Sequence, residues 1–370
     1  MNRATNRNPR VNARVVVLPG DGIGPEVIAQ AVPVLVRAAE RHGCTVTVEE
    51  GLLGRVAYDA CGNDLPDDTL AAATKADAIL VGAVGEVDRR QAWFRGGPSL
   101  IRLRKELDLF ANLRPVATVA PLADISPLRP EVAASVDMVI VRELSSGIYY
   151  GTPRGVHTET SPKSAVNTMT YSEDEVRRVA RVAFEAARSR RRELVSVGKH
   201  NVLEVSMFWR DVVNEVAADY PDVVLRHEIV DAAAYRLVAS PASYDVVLTA
   251  NLFGDILSDV AAAAGGSLGM APSASVGDSG PGLFEPVHGS APDIAGTDSA
   301  NPIGAILSAA MLADIALGLP EARGDINRAV STVLADGLRT RDIAAGRARV
   351  VGCQEMGSAV LDALGNAGTA

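Results

Sequence analysis

The sequence predicts an α/β protein of two domains built on a mostly parallel sheet. Short runs rich in valine, isoleucine and leucine alternate with stretches whose apolar residues recur at helical spacing. This alternation is typical of a parallel sheet covered by helices. The chain has 370 residues, of which 48% are hydrophobic and 22% charged. Such a length and composition suit about two globular domains with ample core.

Continuous apolar runs are typical of buried strands. They cover 14–19, 78–82, 137–141, 195–197 and 244–249. The first run leads into a glycine-rich turn at 20–24 and then into a helix whose first turn contains a proline. A second helix is predicted over 172–190, because Ser172 and Glu175 have the spacing of a capping box. The glycine-, proline- and serine-rich stretch at 265–282 is expected to be a long loop or a crossing between domains.

Two features that often mark a site do not do so here. The glycines at 20–24 have the spacing Gly-x-Gly-x-Gly and not the Gly-x-Gly-x-x-Gly of a dinucleotide-binding turn, so they do not place a cofactor. The three cysteines, Cys44, Cys61 and Cys353, lie far apart and match no metal-ligand spacing. They are therefore expected to be reduced and structural.

Charge and hydropathy exclude two classes of partner. The formal net charge is −9, whereas nucleic-acid binding needs a basic face. The apolar runs are too short and interrupted to span a bilayer. The first residues are polar and basic, without the apolar stretch of a secretory signal. We therefore expect a disordered extension at 1–13 and a cytoplasmic location.

Two aspartates four residues apart in an apolar run indicate a metal site. Asp255 and Asp259 follow a predicted strand and a predicted short turn at 251–254, on a segment expected to be helical. Residues i and i+4 share one face of a helix, and two buried carboxylates there would repel each other. Hard oxygen ligands suit Mg²⁺ or Mn²⁺. The alternative is a solvated acidic face, which the surrounding aliphatic residues disfavour.

Several arginines suggest an acidic substrate. Arg102, Arg104, Arg114 and Arg142 are the candidates, and any three that converge could bind the groups of a di- or tricarboxylic acid, since guanidinium groups bind carboxylates in a bidentate manner. The alternative for each arginine is an ion pair with a neighbouring acidic side chain.

Four other residues have side chains suited to catalysis or ligand binding. Tyr149 and Lys199 could act as general acid and base near a divalent cation, or could be a core tyrosine and a surface lysine. Asp231 could be a third oxygen ligand or a helix cap. Asp293 is the kind of carboxylate that attracts a ribose diol and repels a 2′-phosphate, which favours NAD over NADP.

Together, six motifs resemble the β-decarboxylating dehydrogenase family, which includes isopropylmalate, isocitrate, homoisocitrate and tartrate/malate dehydrogenases. In family order, the motifs lie at 18–27, 108–115, 141–149, 199–205, 251–259 and 284–296. The Arg-Glu-Leu run at 142–144, with Gly-x-Pro-Arg-Gly at 151–155, is most similar to the isopropylmalate members. The resemblance implies an isocitrate/isopropylmalate dehydrogenase-like fold and a homodimer with shared active sites.

The resemblance also implies domain boundaries and roles. A large cofactor-binding domain would contain 14–109 and 266–370, and a small domain at 110–265 would carry the dimer interface and an arm at about 148–170. The implied substrate arginines are Arg104, Arg114 and Arg142. The implied metal ligands are Asp255, Asp259 and, from the partner subunit, Asp231. The implied catalytic residues are Tyr149, which protonates C3, and the partner-supplied base Lys199. The implied NAD contacts are Asn201, Glu285, His288, Gly289, Asp293, Ile294 and Asn301. The implied pocket for the C3 substituent contains Leu100, Ile101 and, from the partner subunit, Val202.

The implied reaction is NAD-dependent oxidative decarboxylation of a 3-substituted malate, 3-isopropylmalate to 2-oxoisocaproate as in leucine biosynthesis. The basic segment at 89–104 departs from the pattern, with Gly97 where glutamate is usual and an extra Arg102 after the pocket pair. It leaves open an anionic or different C3 substituent, as in isocitrate, homoisocitrate, phosphonomethylmalate, D-malate or tartrate. A solvated face is the other interpretation of Arg102, since the next helical residue points about 100° away.

A function of another class is a non-catalytic regulatory subunit of the same family. Such chains usually lack metal or base residues, whereas each of those positions is filled here.

Overall fold

The structure of the chain is a computed structural model that describes residues 9–85, 98–159, 161–346 and 348–366. Most of the predicted extension at 1–13 and much of the basic segment at 89–104 lie outside the described residues. Arg89, Arg90, Arg95 and Gly97 are among the residues outside.

Strands are spread along the whole described chain. They are β1 (Asn12–Gly20), β2 (Thr45–Glu50), β3 (Ala78–Ala83), β4 (Ala111–Ala117), β5 (Asp137–Glu143), β6 (Gly155–His157), β7 (Ser164–Val166), β8 (Glu193–Gly198), β9 (Val224–Ile229), β10 (Val246–Thr249), β11 (Pro272–Val276), β12 (Gly282–Pro286), β13 (Leu338–Arg339) and β14 (Arg349–Val350).

Helices alternate with most of these strands. They are α1 (Gly24–Arg41), α2 (Arg55–Cys61), α3 (Asp67–Lys75), α4 (Ser99–Glu106), α5 (Pro130–Ala133), α6 (Glu173–Arg188), α7 (Glu204–Ala217), α8 (Val230–Ala239), α9 (Asn251–Gly265), α10 (Ile303–Ile315), α11 (Pro320–Ala335) and α12 (Cys353–Asn366). The predicted strand–helix alternation and α/β class are confirmed.

The predicted strands correspond to β1, β3, β5, β8 and β10. The predicted capping box of α6 is also present, because the Ser172 N–H donates to Glu175 Oε2 at 2.7 Å and the Glu175 N–H donates to Ser172 Oγ at 3.4 Å. One local prediction is wrong. Residues 251–254 form the first turn of α9 and not a separate turn, since the Gly254 N–H donates to the Ala250 carbonyl at 2.8 Å. Of the two alternatives for 265–282, the crossing between domains is confirmed, because the chain passes from one compact unit to the other at Gly265. The stretch is not one long loop, since it contains β11, which pairs with β12.

The described chain divides into two compact units. The first unit contains the described residues of Met1–Leu109, Thr118–Ala134 and Gly265–Ala370. Its strands lie in the order β2-β1-β3-β12-β11, and all of its neighbouring pairs are parallel except β11 with β12. Helices α1, α10, α11 and α12 pack together beside this sheet. Because the strands are covered, β3 is buried along its full length.

The second unit contains Phe110–Ala117 and Ser135–Ala264. Its strands lie in the order β4-β5-β10-β8-β9, and β4 alone runs antiparallel to its neighbour. The parallel register places the carboxyl ends of β5, β10 and β8 at one edge. Functional groups of parallel sheets are commonly found at such an edge.

The predicted domain boundaries and the two units differ at residues 118–134 and, by one residue, at Gly265. Residues 118–134 belong to the first unit, where the Pro121 carbonyl accepts a hydrogen bond from Arg339 at 2.7 Å. The predicted arm at about 148–170 contains the antiparallel hairpin of β6 and β7. Roles in cofactor binding and dimer contact stay predictions for these regions. No helix in the described ranges is both long and apolar enough to cross a membrane.

Two helical glycines in the first unit predict opposite effects of the same substitution. A Cβ at Gly324 would meet Arg328 Nη1 at 3.3 Å, the end of a flexible side chain, so Gly324→Ala should raise the free energy of unfolding by up to about 1 kcal/mol. A Cβ at Gly304 would lie 2.8 Å from the Gly269 carbonyl oxygen. Gly304→Ala should therefore lower the free energy of unfolding by about 1–3 kcal/mol. Scanning calorimetry of both variants checks the sign, and equal transition temperatures would contradict this account of α10 packing.

Candidate active site

A candidate site of the second unit lies where β5 and β10 end and α9 begins. Thr249 lies opposite Arg142 in the parallel register, and α9 starts two residues later. The first turn of α9 therefore lies beside Arg142, whose side chain is buried. Arg142 Nη1 donates to Asp255 Oδ1 at 2.5 Å, and its Nε and Nη2 donate to Asn251 Oδ1 at 3.1 and 2.7 Å. The guanidinium is thus held by an amide and a carboxylate from one helix.

Arg114 approaches the same helix from β4. Its Nη1 donates to Ser258 Oγ at 2.6 Å, and its Nε donates to Asn112 Oδ1 at 2.7 Å. Its guanidinium nitrogens also lie 3.6 Å from an oxygen of Asp255 and 3.6 Å from an oxygen of Asp259. Two of the predicted substrate arginines therefore converge on the two predicted metal ligands.

Tyr149 completes this group from the short 3-10 turn Gly147–Tyr149. Its hydroxyl donates to Asp255 Oδ2 at 2.7 Å, and the Arg142 guanidinium lies 5.6 Å from the centroid of its ring. Burial of the phenol, followed by its hydrogen bond to Asp255, raises the pKa of Tyr149 to about 12. The phenol therefore carries its proton at neutral pH, as a general acid must.

The glycine at position 254 makes room for Arg142. A Cβ there would lie 2.6 Å from Arg142 Cγ and 3.1 Å from Thr249 Cγ2. A side chain at this position would push the stem of the arginine away from the helix. The Asn-x-x-Gly-Asp spacing of the motif thus has a physical reason: Asn251 binds the guanidinium, Gly254 accommodates its stem and Asp255 pairs with its charge.

The carboxylates of this group have the chemistry of part of a cation site. The side chains of Asp255 and Asp259 are 37% and 59% exposed and lie one helical turn apart. Burial raises the pKa of Asp259, and the charge of Asp255 acts in the same direction against the opposing effect of Arg114. Among the described residues, no three His, Cys, Asp or Glu side chains are grouped closely enough to hold a metal ion. The third predicted ligand, Asp231, is therefore not part of this group.

Asp231 instead pairs with Lys199. Lys199 follows the end of β8, Asp231 lies in the first turn of α8, and Nζ donates to Asp231 Oδ1 at 2.5 Å. This hydrogen bond lowers the pKa of the Asp231 carboxyl, which keeps the carboxylate ionised. The neighbouring Asn201 and Val202 are exposed. These four predicted residues form a second group in the same unit.

In the first unit, α4 carries the predicted pocket residues. Leu103 is fully buried in the core and fixes the helix, and Leu100 packs against that core. Leu100 and Ile101 remain half-buried. Arg104 Nη2 donates to Glu285 Oε1 at 2.5 Å. A predicted substrate residue and a predicted cofactor residue are therefore joined by an ion pair.

Arg102 is paired with a buried carboxylate, and its side chain is 22% exposed. Its Nη1 donates at 2.9 Å to Oδ1 of Asp64, whose side chain is 2% exposed. The other oxygen of Asp64 is buried without a hydrogen-bond partner in the described part of the chain. Because a buried carboxylate needs a charge partner, Arg102 compensates Asp64, and the interpretation of Arg102 as a fully solvated residue is wrong.

Apart from Glu285, which lies in β12, the predicted cofactor residues of the first unit lie in the loop after β12 and before α10. His288 Nδ1 lies 3.0 Å from the Gly289 carbonyl, its Nε2 is buried without a partner among the described residues, and burial lowers its pKa. Asp293 is exposed, and Ile294 is half-buried. A neutral imidazole with a spare nitrogen and an open carboxylate are groups that a nucleotide can use.

Asn301 ends this loop, and its side-chain amide is hydrogen-bonded to other groups of the protein. Its Nδ2 donates to Asp342 Oδ2 at 3.0 Å, and its Oδ1 accepts the Ile303 N–H at 3.0 Å. Asp342 also accepts a hydrogen bond from Ser267 at 2.7 Å. The amide of Asn301 therefore fixes the start of α10.

Sequence reasoning missed several of these partners. Asn251 and Ser258 lie inside a motif that had been singled out, and their positions on the face of the two aspartates could have identified them. Asn112 could have been identified in the same way, since it lies two positions before Arg114 in the motif at 108–115. Asp64 and Asp342 carry no comparable signal, because each is a single polar residue whose partner is distant in sequence.

The fold and this arrangement of groups match a known protein family. The family model described as isocitrate/isopropylmalate dehydrogenase matches residues 14–360. The chain belongs to this family.

Individual relatives extend the match over nearly the full chain. The chain is 53% identical over 354 residues to a 3-isopropylmalate dehydrogenase of Synechococcus sp. (strain JA-3-3Ab), covering 95% of this chain and 93% of the relative. It is 50% identical to a 3-isopropylmalate dehydrogenase of Nitratidesulfovibrio vulgaris, covering 96% and 100%. Among solved structures, an isocitrate dehydrogenase from Methylococcus capsulatus superposes with a TM-score of 0.84 at 32% identity, covering 95% and 99%. A β-decarboxylating dehydrogenase from Thermococcus kodakarensis gives 0.77 at 38%, covering 96% of each.

The Arg102–Asp64 pair predicts a non-additive effect on stability. Arg102→Ala should lower the free energy of unfolding by about 3–5 kcal/mol, because it leaves a buried carboxylate uncompensated. The double variant with Asp64→Asn should recover much of that loss, which chemical unfolding of the set can measure. The exposed pair of Arg55 and Asp59, whose side chains are 57% and 55% exposed, is the control, where Arg55→Ala should cost at most about 1 kcal/mol. Additive losses at 64 and 102 would contradict the pairing.

Proposed function

We propose that this chain catalyses the NAD-dependent and divalent-metal-dependent oxidative decarboxylation of 3-isopropylmalate to 2-oxoisocaproate. The observation that carries the proposal is the convergence of Arg114, Arg142 and Tyr149 on Asp255 and Asp259. Relatives of 50–53% identity over nearly the whole chain are 3-isopropylmalate dehydrogenases. The same convergence of groups suits a malate, which brings two carboxylates and a neighbouring hydroxyl to the site.

The arginines supply the binding energy for the two carboxylates. Arg114 and Arg142 are buried and already paired with carboxylates of the protein, so a bound substrate exchanges one set of anionic partners for another. Arg104, held by Glu285, is the third proposed contact. Fixed guanidinium groups orient the C2 hydroxyl and the C3 carboxylate, which lowers the entropic part of the barrier.

Proton transfers are assigned to two side chains. The neutral amine form of Lys199, released from its ion pair with Asp231, would take the proton of the C2 hydroxyl as C2 loses its hydride. The bond from C3 to its carboxylate then breaks, CO₂ leaves, and the electron pair remains as an enolate. Tyr149 donates its proton to C3 of that enolate. Its raised pKa of about 12 means that the proton is present before the step.

The residues fit a divalent cation on the chemistry of their donors. Asp255 and Asp259 offer partly exposed carboxylate oxygens on one face of α9, and burial, followed by the charge of Asp255, raises the pKa of Asp259 against the opposing effect of Arg114. They would hold the ion together with Asp231 of a second copy of the chain. When bound, Mg²⁺ or Mn²⁺ polarises the C2 oxygen and stabilises the enolate charge.

Cofactor binding is assigned to the loop after β12. The buried Nε2 of His288, which has no partner among the described residues, and the exposed Asp293 support this assignment, and a Cβ on Gly289 would meet nothing within 4 Å in the described chain. Asn201, Glu285, Ile294 and Asn301 are the other proposed contacts. A carboxylate at 293 accepts hydrogen bonds from a ribose diol and repels a 2′-phosphate, which favours NAD over NADP. NAD supplies the hydride acceptor.

A second copy of the chain is needed to complete the site. Lys199 and Asp231 pair with each other, and no three His, Cys, Asp or Glu side chains in the described residues are grouped closely enough to hold a metal ion. Exposed apolar side chains on α7 and α9, Met207, Phe208 and Ile256, provide a surface that association would bury. We propose a homodimer in which Lys199, Asp231 and Val202 serve the partner's site, with the β6–β7 hairpin as part of the contact.

The C3 substituent is proposed to be apolar. Leu100 and Ile101 present aliphatic side chains, and Arg102 is committed to buried Asp64. An anionic substituent, as in isocitrate, homoisocitrate or phosphonomethylmalate, would need a free cationic group from the basic segment. D-malate and tartrate would leave an aliphatic pocket unfilled. A regulatory subunit is disfavoured, since the arginine, tyrosine, lysine and aspartate groups are all in place.

The substrate assignment predicts a clear ranking in initial rates. With Mn²⁺ and NAD, kcat/KM for 3-isopropylmalate should exceed that for isocitrate, homoisocitrate, D-malate, tartrate and a phosphonomethylmalate analogue, because one missing or misplaced apolar contact already costs about 10- to 200-fold. NADP should be the poorer cofactor. NADH formation at 340 nm measures both rankings. A preference for a substrate with an anionic C3 substituent would contradict the proposed apolar pocket. The absence of turnover with every substrate would favour a non-catalytic regulatory subunit.

Shared sites predict activity from two inactive variants. Lys199→Ala removes the base given to the partner, and Asp255→Asn removes a ligand of the chain's own site, so each homodimer should be inactive. In an exchanged mixture, each heterodimer contains one site with both residues intact, so about a quarter of wild-type activity should return. Mixing two separately prepared batches of Lys199→Ala is the control. Failure of the heterodimer to regain activity would place both residues in one chain's site.

A further inference from the structure

The hydroxyl of Tyr171 lies at the start of α9 and belongs to no group considered above. It accepts the backbone N–H of Asn251 at 2.9 Å. The first N–H groups of a helix have no acceptor within the helix itself. Tyr171 therefore satisfies one of these donors on the helix that carries Asp255 and Asp259, in the way a capping side chain does.

The same hydroxyl donates a hydrogen bond to the buried carboxylate of Glu143. Burial, together with the charge of Glu143, raises the pKa of Tyr171 above its usual range, so the phenol stays protonated. Glu143 is fully buried next to Arg142, and its oxygens accept the N–H of Ser145 at 2.7 Å and the N–H of Ser146 at 3.1 Å. One phenol thus joins α9 to the chain that follows β5.

That chain leads directly to Tyr149. Gly147 donates its N–H to the Thr170 carbonyl at 3.1 Å, and a Cβ on Gly147 would lie 2.3 Å from the Tyr171 hydroxyl oxygen. The Asn251 side chain closes the network, since its Nδ2 donates to the Ser146 carbonyl at 3.0 Å while its Oδ1 accepts from Arg142. The first turn of α9 and Arg142 therefore lie within two hydrogen bonds of one hydroxyl, and Tyr149 is hydrogen-bonded to Asp255 of the same helix.

We propose that Tyr171 is a positioning residue of the active site, whose hydroxyl sets the spacing between Asp255, Arg142 and Tyr149. The effect on catalysis rests on the proposed function, whereas the effect on α9 does not. A ring without the hydroxyl keeps its edge contact with Trp209, whose centroid lies 5.2 Å away. The Asn251 N–H and the Glu143 carboxylate would each lose a hydrogen-bond partner. We therefore expect the side chains of Asp255, Arg142 and Tyr149 to shift.

The test compares Tyr171→Phe with Tyr220→Phe. Tyr220 is also buried, in the same unit, and stacks on Phe184 at the far end of α6. For Tyr171→Phe with 3-isopropylmalate we expect kcat to fall and kcat/KM to fall by roughly 10- to 100-fold. The Mn²⁺ concentration that gives half-maximal activity should rise. Amide exchange followed by mass spectrometry should be faster in peptides covering 250–256. Tyr220→Phe should remain within about two-fold of the wild type.

Three outcomes would overturn the proposal. They are wild-type kinetics and Mn²⁺ dependence in Tyr171→Phe, unchanged exchange at the start of α9, and an equal loss of activity in Tyr220→Phe. If the wild type itself does not turn over 3-isopropylmalate, the proposed function fails, and Mn²⁺ binding measured by electron paramagnetic resonance, with the exchange data, still decides the role of Tyr171. If Tyr171→Phe does not fold, Glu143→Gln must shift Mn²⁺ binding in the same direction, and an unchanged affinity would reject the proposal.

Discussion

The carboxylate of Asp255 is the group on which the second unit's site depends. Arg142 is buried, and a buried guanidinium is stable only beside an anion with good geometry. Asp255 provides that anion and at the same time accepts the hydroxyl of Tyr149 and lies near Arg114. For one carboxylate to reach all three, α9 must begin immediately after β10, and its first turn must have no side chain at Gly254. The glycine at position 254, the start of α9 directly after β10 and the ion pair of Asp255 with Arg142 therefore follow from one requirement, that a single carboxylate reaches all three groups.

Much of the fold could be predicted because burial is periodic in sequence. Strands such as β3 are buried on both faces and read as continuous apolar runs, and the capping box of α6 is local to four residues. The start of α9 was predicted wrongly, because Asn251 and Gly254 are typical of turns when considered alone. Their helical conformation is fixed by tertiary partners, the Tyr171 hydroxyl and the Arg142 stem, which no local window contains. For β11, proline and serine concealed a strand that is defined by its pairing with β12.

The residues of the candidate site also fall into those that sequence could predict and those that it could not. Charged residues with few structural uses, such as Arg114, Asp255 and Lys199, could be identified from type and spacing. Positioning partners outside the motifs could not be identified, because residues such as tyrosine occur throughout the chain and their role depends on contacts that are distant in sequence. Tyr171 lies 80 positions from Asn251 in sequence, and Asp64 lies 38 positions from Arg102. Sequence therefore indicates what chemistry is present more readily than what holds it in place.

Arg102 and Arg104 illustrate why the charge of a segment is a poor guide to the charge of its ligand. Two positions apart on α4, they point about 200° from each other, and each meets a nearly buried carboxylate, Asp64 or Glu285. Glu285 also belongs to the proposed cofactor site, so a substrate carboxylate can compete for Arg104 while the released Glu285 still has ligand groups to bind. Asp64 has no such alternative among the described residues, since its second oxygen is already unpartnered. Drawing Arg102 towards an anionic substituent would strand a buried charge, which costs several kcal/mol. The physical cost of moving one arginine therefore favours an aliphatic substituent, even in a segment rich in positive charge.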